Sequence, residues 1–307
     1  MPPTLSKDEK LEQRAVIKFL QKTGGKPSDT IKEFKQAYAS KERRPLCNCC
    51  KKMSETKGAS VKLVTVQRFK FIPNLSPFSL ALETFMRLAN IQYEVEFTKT
   101  VTINKETGQV PFVIVNGVQV NDSQKIMSHL SEVFDVDLNS ELNPIEKTIS
   151  HAFVRMMNEF TSWTYFYWRY VDHPELIFPD IMDSPESFGI SPDDPDKKQN
   201  WIDAARKKLL EQTHNQGVGR KSKEEIYKMG MDDLRGLSVY LGEKPFMFGD
   251  KASVVDCVLF GHLCQIVYLP LPTMPHKIMV ENECKNLVAF CDRMKALAWP
   301  DWDKLTN

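Results

Sequence analysis

The chain has 307 residues, of which 42% are hydrophobic and 26% are charged, and its net charge is +1. This near-average composition is that of a globular protein long enough for two domains. No apolar run reaches the roughly 18 residues that a membrane-spanning helix needs, and the polar N-terminus lacks the apolar core of a secretory signal. We therefore expect a cytoplasmic protein in which the seven cysteines are reduced thiols.

Residues 1–60 form a basic extension. They contain 14 Lys and Arg against 7 Asp and Glu, a surplus of +7, so the remainder of the chain sums to −6. Two short amphipathic helix patterns within residues 12–40 resemble the start of the helix-turn-helix of mariner-type transposases. KERRPLCNCCKKMSETKG stands where the helix that reads the major groove should follow. We therefore interpret the extension as a helical appendage on a flexible linker, and nucleic acid is not an expected partner.

Cys47, Cys49 and Cys50 in this extension are the first candidates for metal ligands, because thiolates bind zinc. They lack both the paired Cys-x2-Cys repeats and the nearby histidine that structural zinc sites show. We predict no metal.

Residues 61–135 predict a thioredoxin-like domain, because short strands alternate with helical patterns in the appropriate order. The predicted elements are a strand from the alternating apolar residues of 64–71, a helix beginning at Ser76-Pro77, a strand at 93–97, a hairpin turning at Asn116-Gly117, and a helix beginning at Asp122-Ser123.

Residues 143–307 predict an all-helical domain. Asn143-Pro144 begins a long helix toward Tyr170, and a Pro- and Asp-rich connection over 173–198 is typical of a lid or mobile loop. Helices near 200–216 and 222–241 follow, and in the closing segment Trp299 and Trp302 are expected to hold the tail against the body. Ser253 and Asp256 predict a capping box on a helix that is apolar on nearly every face and therefore central.

Five separated segments resemble the failed axon connections family, the metaxin-related branch of the glutathione-transferase-like proteins. They are FIPNLSPFSLALETFMRLANIQYEV, GQVPFVIVNGVQVNDS, HAFVRMMNEF, KPFMFGDKASVVDCVLFGHL and WPDWD. The resemblance covers residues 61–307. It implies a glutathione transferase fold (α/β plus all-α), with a thioredoxin-like domain before an all-helical one and glutathione as the ligand or co-substrate.

By this resemblance Ser76 occupies the position that faces the sulfur of glutathione. A helix N-terminus favours a thiolate, and a hydroxyl can donate a hydrogen bond to it. Ser before Pro is also the preferred N-cap and N1 pair, so a purely capping role remains open.

The resemblance assigns the rest of the glutathione site to two further segments. Val110-Pro111 matches the family's cis-proline, where the backbone of Val110 would exchange hydrogen bonds with the cysteinyl part of the ligand. Asp122 and Ser123 would bind the ammonium and carboxylate groups of the γ-glutamyl end. A structural proline and an ordinary helix cap are the alternatives. Lys99 and Lys105 lie in the loop that should bind the glycyl carboxylate, but neither aligns securely.

A wall for a second, electrophilic substrate is implied along the first long helix of the helical domain. The alternative for these residues is core packing. The candidates are His151, Arg155, Tyr165 and Trp168.

Two functions of different classes follow. The first is a glutathione-binding transferase that conjugates small electrophiles in detoxification. The second is a non-catalytic interaction protein of the same fold with protein partners, in axon development or in a metaxin-like role. A homodimer is compatible with both.

Overall fold

A computed structural model describes residues 59–98, 110–177 and 195–306. All of these lie in the second of the two units into which the chain divides, Lys57–Asn307. Residues 1–58 of the predicted extension, with its three cysteines, lie outside the described residues, as do Lys99, Lys105 and most of the Pro- and Asp-rich connection.

A four-stranded sheet of order β2-β1-β3-β4 forms the first half of the fold. The strands are β1 (Val61–Thr65), β2 (Glu94–Phe97), β3 (Phe112–Val115) and β4 (Val118–Asn121). β1 runs parallel to β2 and antiparallel to β3, which forms a hairpin with β4. Asn116 and Gly117 at the hairpin tip have φ values of 51° and 82°, as a type I′ turn requires. The predicted order of strand, helix, strand, hairpin and helix is confirmed.

The bounds predicted for the first strand were wrong. It begins at Val61 and ends at Thr65 instead of spanning 64–71. Val66, Phe69 and Ile72 are nevertheless buried. The apolar residues after Thr65 therefore indicated a segment that is buried against the core but does not join the sheet.

Ten α-helices lie in the described residues. They are α1 (Pro77–Leu88), α2 (Ser123–Phe134), α3 (Pro144–Met156), α4 (Ser162–Tyr167), α5 (Pro195–Gln216), α6 (Lys223–Leu241), α7 (Val254–Val267), α8 (Pro275–Glu283), α9 (Lys285–Ala298) and α10 (Trp302–Leu305). The single helix predicted from Asn143 toward Tyr170 is interrupted by π-helical turns after α3 and α4, at Met157–Thr161 and Trp168–Asp172. None of the helices in this part of the chain is long and apolar enough to cross a membrane.

α7 is the centre of the helical domain, since all its residues except Val254 are buried. Ser253 and Asp256 form a capping box at its start. The Asp256 carboxylate accepts from the amide and hydroxyl of Ser253, at 2.8 and 2.7 Å, and from the amide of Met247 at 2.8 Å. This carboxylate therefore fixes the chain that enters α7.

α7 packs directly against α1, and a glycine permits the close approach. A Cβ atom added to Gly261 would lie 2.4 Å from the carbonyl oxygen of Pro77 and 2.9 Å from Ala81. The start of α1 is thus positioned by contact with the centre of the helical domain.

Candidate functional site

Three chain segments meet at one end of the sheet. In the sheet register Val64 pairs with Phe112, and Phe112 pairs with Asn121. The loop that leaves β1 toward Ser76, the Val110-Pro111 segment that enters β3, and the Asp122 turn that leaves β4 therefore lie at the same end. The family resemblance implied glutathione contacts in these same three segments.

Ser76 is the N-cap of α1 and is partly exposed. Its Oγ accepts a hydrogen bond from the Ser79 amide at 3.3 Å, and its own amide donates to Asn74 Oδ1 at 2.9 Å. A hydroxyl that accepts through one lone pair still has its proton to donate. Ser76 thus caps the helix in this structure and keeps a donor for a group placed above it.

Asp122 is the N-cap of α2, and it is exposed. One carboxylate oxygen, Oδ1, accepts from the amides of both Gln124 and Lys125, at 3.1 and 3.0 Å. The other oxygen, Oδ2, has no partner among the described residues. The amide and hydroxyl of the adjoining Ser123 likewise make no hydrogen bond to any described residue, although Ser123 is only 8% exposed.

The Val110-Pro111 peptide bond is cis. Pro111 is buried and Val110 is partly exposed. Val110 precedes β3, and its backbone forms no hydrogen bond with another described residue.

A buried side-chain bridge connects this end of the sheet with the helical domain. Gln265 of α7 donates from Nε2 to the carbonyl oxygen of Asn74 at 3.0 Å. Asn74, which is fully buried, donates to Thr65 Oγ1 at 2.9 Å and accepts from the Ser76 amide. The position of Ser76 is therefore set from both domains.

The four residues predicted for the second-substrate wall lie in two different environments. His151 and Arg155 are exposed on α3, where Arg155 pairs with Glu159 at 3.1 Å. Tyr165 and Trp168 are 0% and 1% exposed. The structure therefore does not bring all four to one surface.

Tyr165 is hydrogen-bonded to a buried histidine. Burial lowers the pKa of His262 to about 3, so its ring is neutral. In the tautomer that satisfies both contacts, His262 Nε2 donates to Asn158 Oδ1 at 2.8 Å. His262 Nδ1 then accepts a hydrogen bond from the Tyr165 hydroxyl, also at 2.8 Å. Burial also raises the pKa of Tyr165. The phenol is thus a neutral donor within the core, and Phe78 of α1 contacts the same imidazole edge-to-face at 5.3 Å.

Asn74 and Gln265, which help to position Ser76, were missed by sequence reasoning. Asn74 and Gln265 are separated by 191 positions, and no local pattern pairs them. One signal in the sequence could have indicated buried polar contacts. Gln265 and His262 are polar residues within the apolar run that forms α7. Among the described residues no three His, Cys, Asp or Glu side chains are grouped to share a metal ion.

Two family models match the chain. One, described as the glutathione S-transferase N-terminal domain, matches residues 77–175, and one described as the glutathione S-transferase C-terminal domain matches residues 230–294. A solved structure of a β-etherase from Sphingobium sp. superposes with a TM-score of 0.50 at 17% identity, covering 77% of this chain and 95% of that one. These matches confirm the predicted glutathione transferase fold.

Three curated relatives are similar over most of this chain. The failed axon connections protein of Drosophila melanogaster is 31% identical over 80% of this chain, which spans 59% of that protein's length. An isoprene-epoxide glutathione S-transferase from Rhodococcus sp. is 26% identical over 73% of this chain and 93% of its own. Metaxin-2 of Mus musculus is 24% identical over 74% of this chain and 83% of its own length. The predicted resemblance of residues 61–307 to the failed axon connections family is confirmed.

Proposed function

We propose that this chain, a member of the glutathione-transferase-like family of failed axon connections and the metaxins, binds glutathione at the end of the sheet where Ser76, Pro111 and Asp122 lie. In this proposal the γ-glutamyl end of glutathione contacts Asp122 and Ser123, and the sulfur of glutathione faces Ser76. Family membership gives the fold, so the argument for this ligand must come from the groups at the site.

The supporting observation is the set of unpaired polar groups at the start of α2. Asp122 Oδ2 is an anionic acceptor, while the Ser123 amide and hydroxyl are two donors beside it, and none has a partner among the described residues. An α-amino acid head group carries an ammonium and a carboxylate on one carbon. Its ammonium complements Oδ2, and its carboxylate complements the two donors and the positive end of the helix.

The backbone of Asp122 supports a role beyond capping. Its φ of 71° and ψ of 116° lie outside the regions that a side chain with a Cβ ordinarily occupies. Holding a residue in such a conformation costs on the order of 1–3 kcal/mol. Asp could cap α2 from an ordinary extended conformation, as Asn143 caps α3 with φ −72° and ψ 168°.

Ser76 supplies the chemistry in this proposal. Its Oγ accepts from the Ser79 amide, and its proton is then donated to the sulfur of glutathione, which stabilises the thiolate. The Rhodococcus relative is named as an enzyme that joins glutathione to an epoxide. We therefore propose small electrophiles as the second substrate, with the acceptor approaching from the helical domain.

The second candidate is a non-catalytic protein that uses the same fold to bind protein partners. Two observations favour it: the Ser76 hydroxyl already serves as a cap, and the Tyr165 hydroxyl is engaged by His262 within the core. Relatives named as metaxins and failed axon connections carry no enzymatic description. A cytoplasmic location and a homodimer remain predictions under either candidate.

Titration calorimetry of the full chain with glutathione tests the binding proposal. Asp122→Asn is the informative variant, because its Oδ1 can still accept from the Gln124 and Lys125 amides while an NH2 group replaces Oδ2. We expect at least about tenfold weaker binding with an unchanged thermal midpoint, since a charge-assisted hydrogen bond contributes about 1.5–3 kcal/mol. Equal affinity in wild type and Asp122→Asn would remove this placement, and no heat at millimolar glutathione would remove the ligand.

Conjugation is tested separately at Ser76 with 1-chloro-2,4-dinitrobenzene as electrophile. Ser76→Asp keeps a good N-cap acceptor but places a negative charge beside the sulfur, so turnover should disappear while stability is retained. Ser76→Ala should lose both turnover and about 1 kcal/mol of folding free energy. Wild-type binding of glutathione without measurable turnover supports the non-catalytic candidate.

A further inference from the structure

Arg169, in the π-helical turn after α4, is a buried cation whose hydrogen bonds are incomplete. It is 1% exposed, and its Nη1 donates to Gln265 Oε1 at 3.2 Å. Its Nε and Nη2 have no hydrogen-bond partner in the part of the chain that the structure describes. No described carboxylate lies within ion-pair distance of this guanidinium. Buried charges in folded proteins are nearly always paired, so this arrangement requires an explanation.

The two unpaired nitrogens of Arg169 lie on the same edge of the guanidinium group. In a planar guanidinium, Nε–H and the nearer Nη2–H point to the same side and form one edge, whereas the Nη1 that contacts Gln265 points elsewhere. That edge matches the two oxygens of a carboxylate, with two parallel N–H···O bonds. The side chain is thus fixed by one contact while the edge suited to a planar anion is left free.

The aromatic surroundings account for the burial of the charge but not for its hydrogen bonds. The guanidinium carbon lies 5.7, 5.6 and 5.3 Å from the ring centroids of Tyr165, Phe166 and Tyr170. Such rings lower the cost of burying a cation, but they are not conventional acceptors for Nε–H and Nη2–H. The same rings provide an apolar contact surface for whatever brings the anion.

Arg169 is joined to the proposed glutathione site through a short chain of hydrogen bonds. Gln265 accepts from Arg169 and donates to the carbonyl oxygen of Asn74, whose side chain accepts from the Ser76 amide. The Nη1 end of Arg169 is therefore connected with the loop after β1 through Gln265 and Asn74.

From this geometry we infer that Arg169 is the anchor of a buried carboxylate-binding site, in which Nε and Nη2 bind one carboxylate and the adjoining rings contact the apolar or aromatic body attached to it. The carboxylate has two candidate sources. One is a separate apolar carboxylic acid, and the other is the glycyl carboxylate of glutathione. The site stands on the Arg169 contacts alone, so it does not depend on the proposed function.

Calorimetry on the full chain with matched pairs of probes tests the site and separates the sources. 4-Phenylbutyrate is compared with the neutral 4-phenylbutan-1-ol, and glutathione is compared with its glycyl ethyl ester. If a separate acid is the ligand, wild type binds phenylbutyrate at least tenfold more tightly than the alcohol. If glutathione is the source, wild type binds it at least tenfold more tightly than the ester. In either case Arg169→Met must abolish the preference.

Three further variants keep the inference falsifiable. Arg169→Lys retains the charge without the two-pronged edge and should lose most of the preference, which also covers the case in which Arg169→Met does not fold. Arg235→Met removes an equal charge from an exposed pair with Glu283 and should leave the preference intact. Arg169→Gln should show an unchanged or higher thermal midpoint without ligand, because an uncompensated charge leaves the core.

A purely structural Arg169 gives the opposite pattern. All Arg169 variants would then be destabilised without ligand, and no acid would be preferred over its neutral counterpart in wild type. That result overturns the inference. Discrimination between phenylbutyrate and its alcohol without any glutathione heat would reject the glutathione proposal while supporting this site.

Discussion

Arg87 and Asp301, 214 positions apart, are joined by two hydrogen bonds of 2.6 and 3.2 Å between α1 and the turn before α10. The same guanidinium donates to the Tyr93 hydroxyl at 2.9 Å and lies 3.9 Å from the ring centroid of Trp299. The hydrogen bond from Arg87 lowers the pKa of Asp301. The chain's C-terminal segment thus closes over the helix that carries Ser76.

Arg87→Lys should destabilise the protein by about 1–2 kcal/mol, because an ammonium can neither pair in two-pronged fashion nor stack on Trp299. Urea unfolding of Arg87→Lys, Asp301→Asn and the double variant measures the coupling between the two residues. We expect a coupling of at least about 0.5 kcal/mol. Additive effects of the two substitutions would mean that the pair is only a surface contact.

Gly261→Ala should separate α1 from α7, because the added Cβ would lie 2.4 Å from the backbone oxygen of Pro77. We expect a loss of about 1–3 kcal/mol, the range for overpacking in a core, and weaker glutathione binding because Ser76 moves with Pro77. Gly236→Ala is the matched control. Gly236 is exposed in α6 with nothing within 4 Å of the added atom, so the change should stabilise by up to about 1 kcal/mol. Equal effects at both glycines would contradict the close packing.

Two buried histidines should make the protein unstable in mild acid. Burial lowers the pKa of both His262 and His276 to about 3, below the ordinary value near 6.5. The unfolded chain therefore takes up these protons first as the pH falls. Their neutral forms stabilise the fold fully above pH 6.5, and this contribution is lost progressively between pH 6.5 and 3.

By pH 5 each histidine should have lowered the free energy of unfolding by about 2 kcal/mol relative to pH 8. Urea unfolding at both values, for wild type, His262→Gln and His276→Gln, measures this change. Each variant should lose about 2 kcal/mol less than wild type over that interval. Parallel pH curves for all three proteins would show that neither imidazole is held neutral.

The elements that local chemistry specifies could be predicted from the sequence. Ser76-Pro77 and Asn143-Pro144 begin helices because cap and N1 preferences are local, and Asn116-Gly117 turns the hairpin because positive φ suits both residues. Trp299 and Trp302 were expected to hold the tail against the body, and both are buried.

Contacts between distant segments could not be predicted. The Arg169–Gln265–Asn74 chain joins three segments, and its members are individually ordinary polar residues. Glu83 is buried because Arg68 pairs with both of its oxygens, at 2.7 and 2.6 Å, which no helical periodicity would indicate. The resemblance also grouped Tyr165 with His151 in one substrate wall without revealing that Tyr165 is buried and His151 is exposed. Helical periodicity indicates which residues share one face of a helix, but tertiary packing determines whether that face is buried.

The most direct test of the account is the affinity of the full chain for two halves of glutathione. γ-Glutamylcysteine carries the amino acid head group that Asp122 and Ser123 are proposed to bind, whereas cysteinylglycine lacks it. The account predicts that Asp122→Asn weakens the binding of γ-glutamylcysteine at least tenfold and leaves the affinity for cysteinylglycine unchanged. An unchanged affinity of Asp122→Asn for γ-glutamylcysteine, or an equal loss of affinity for both dipeptides, would contradict it.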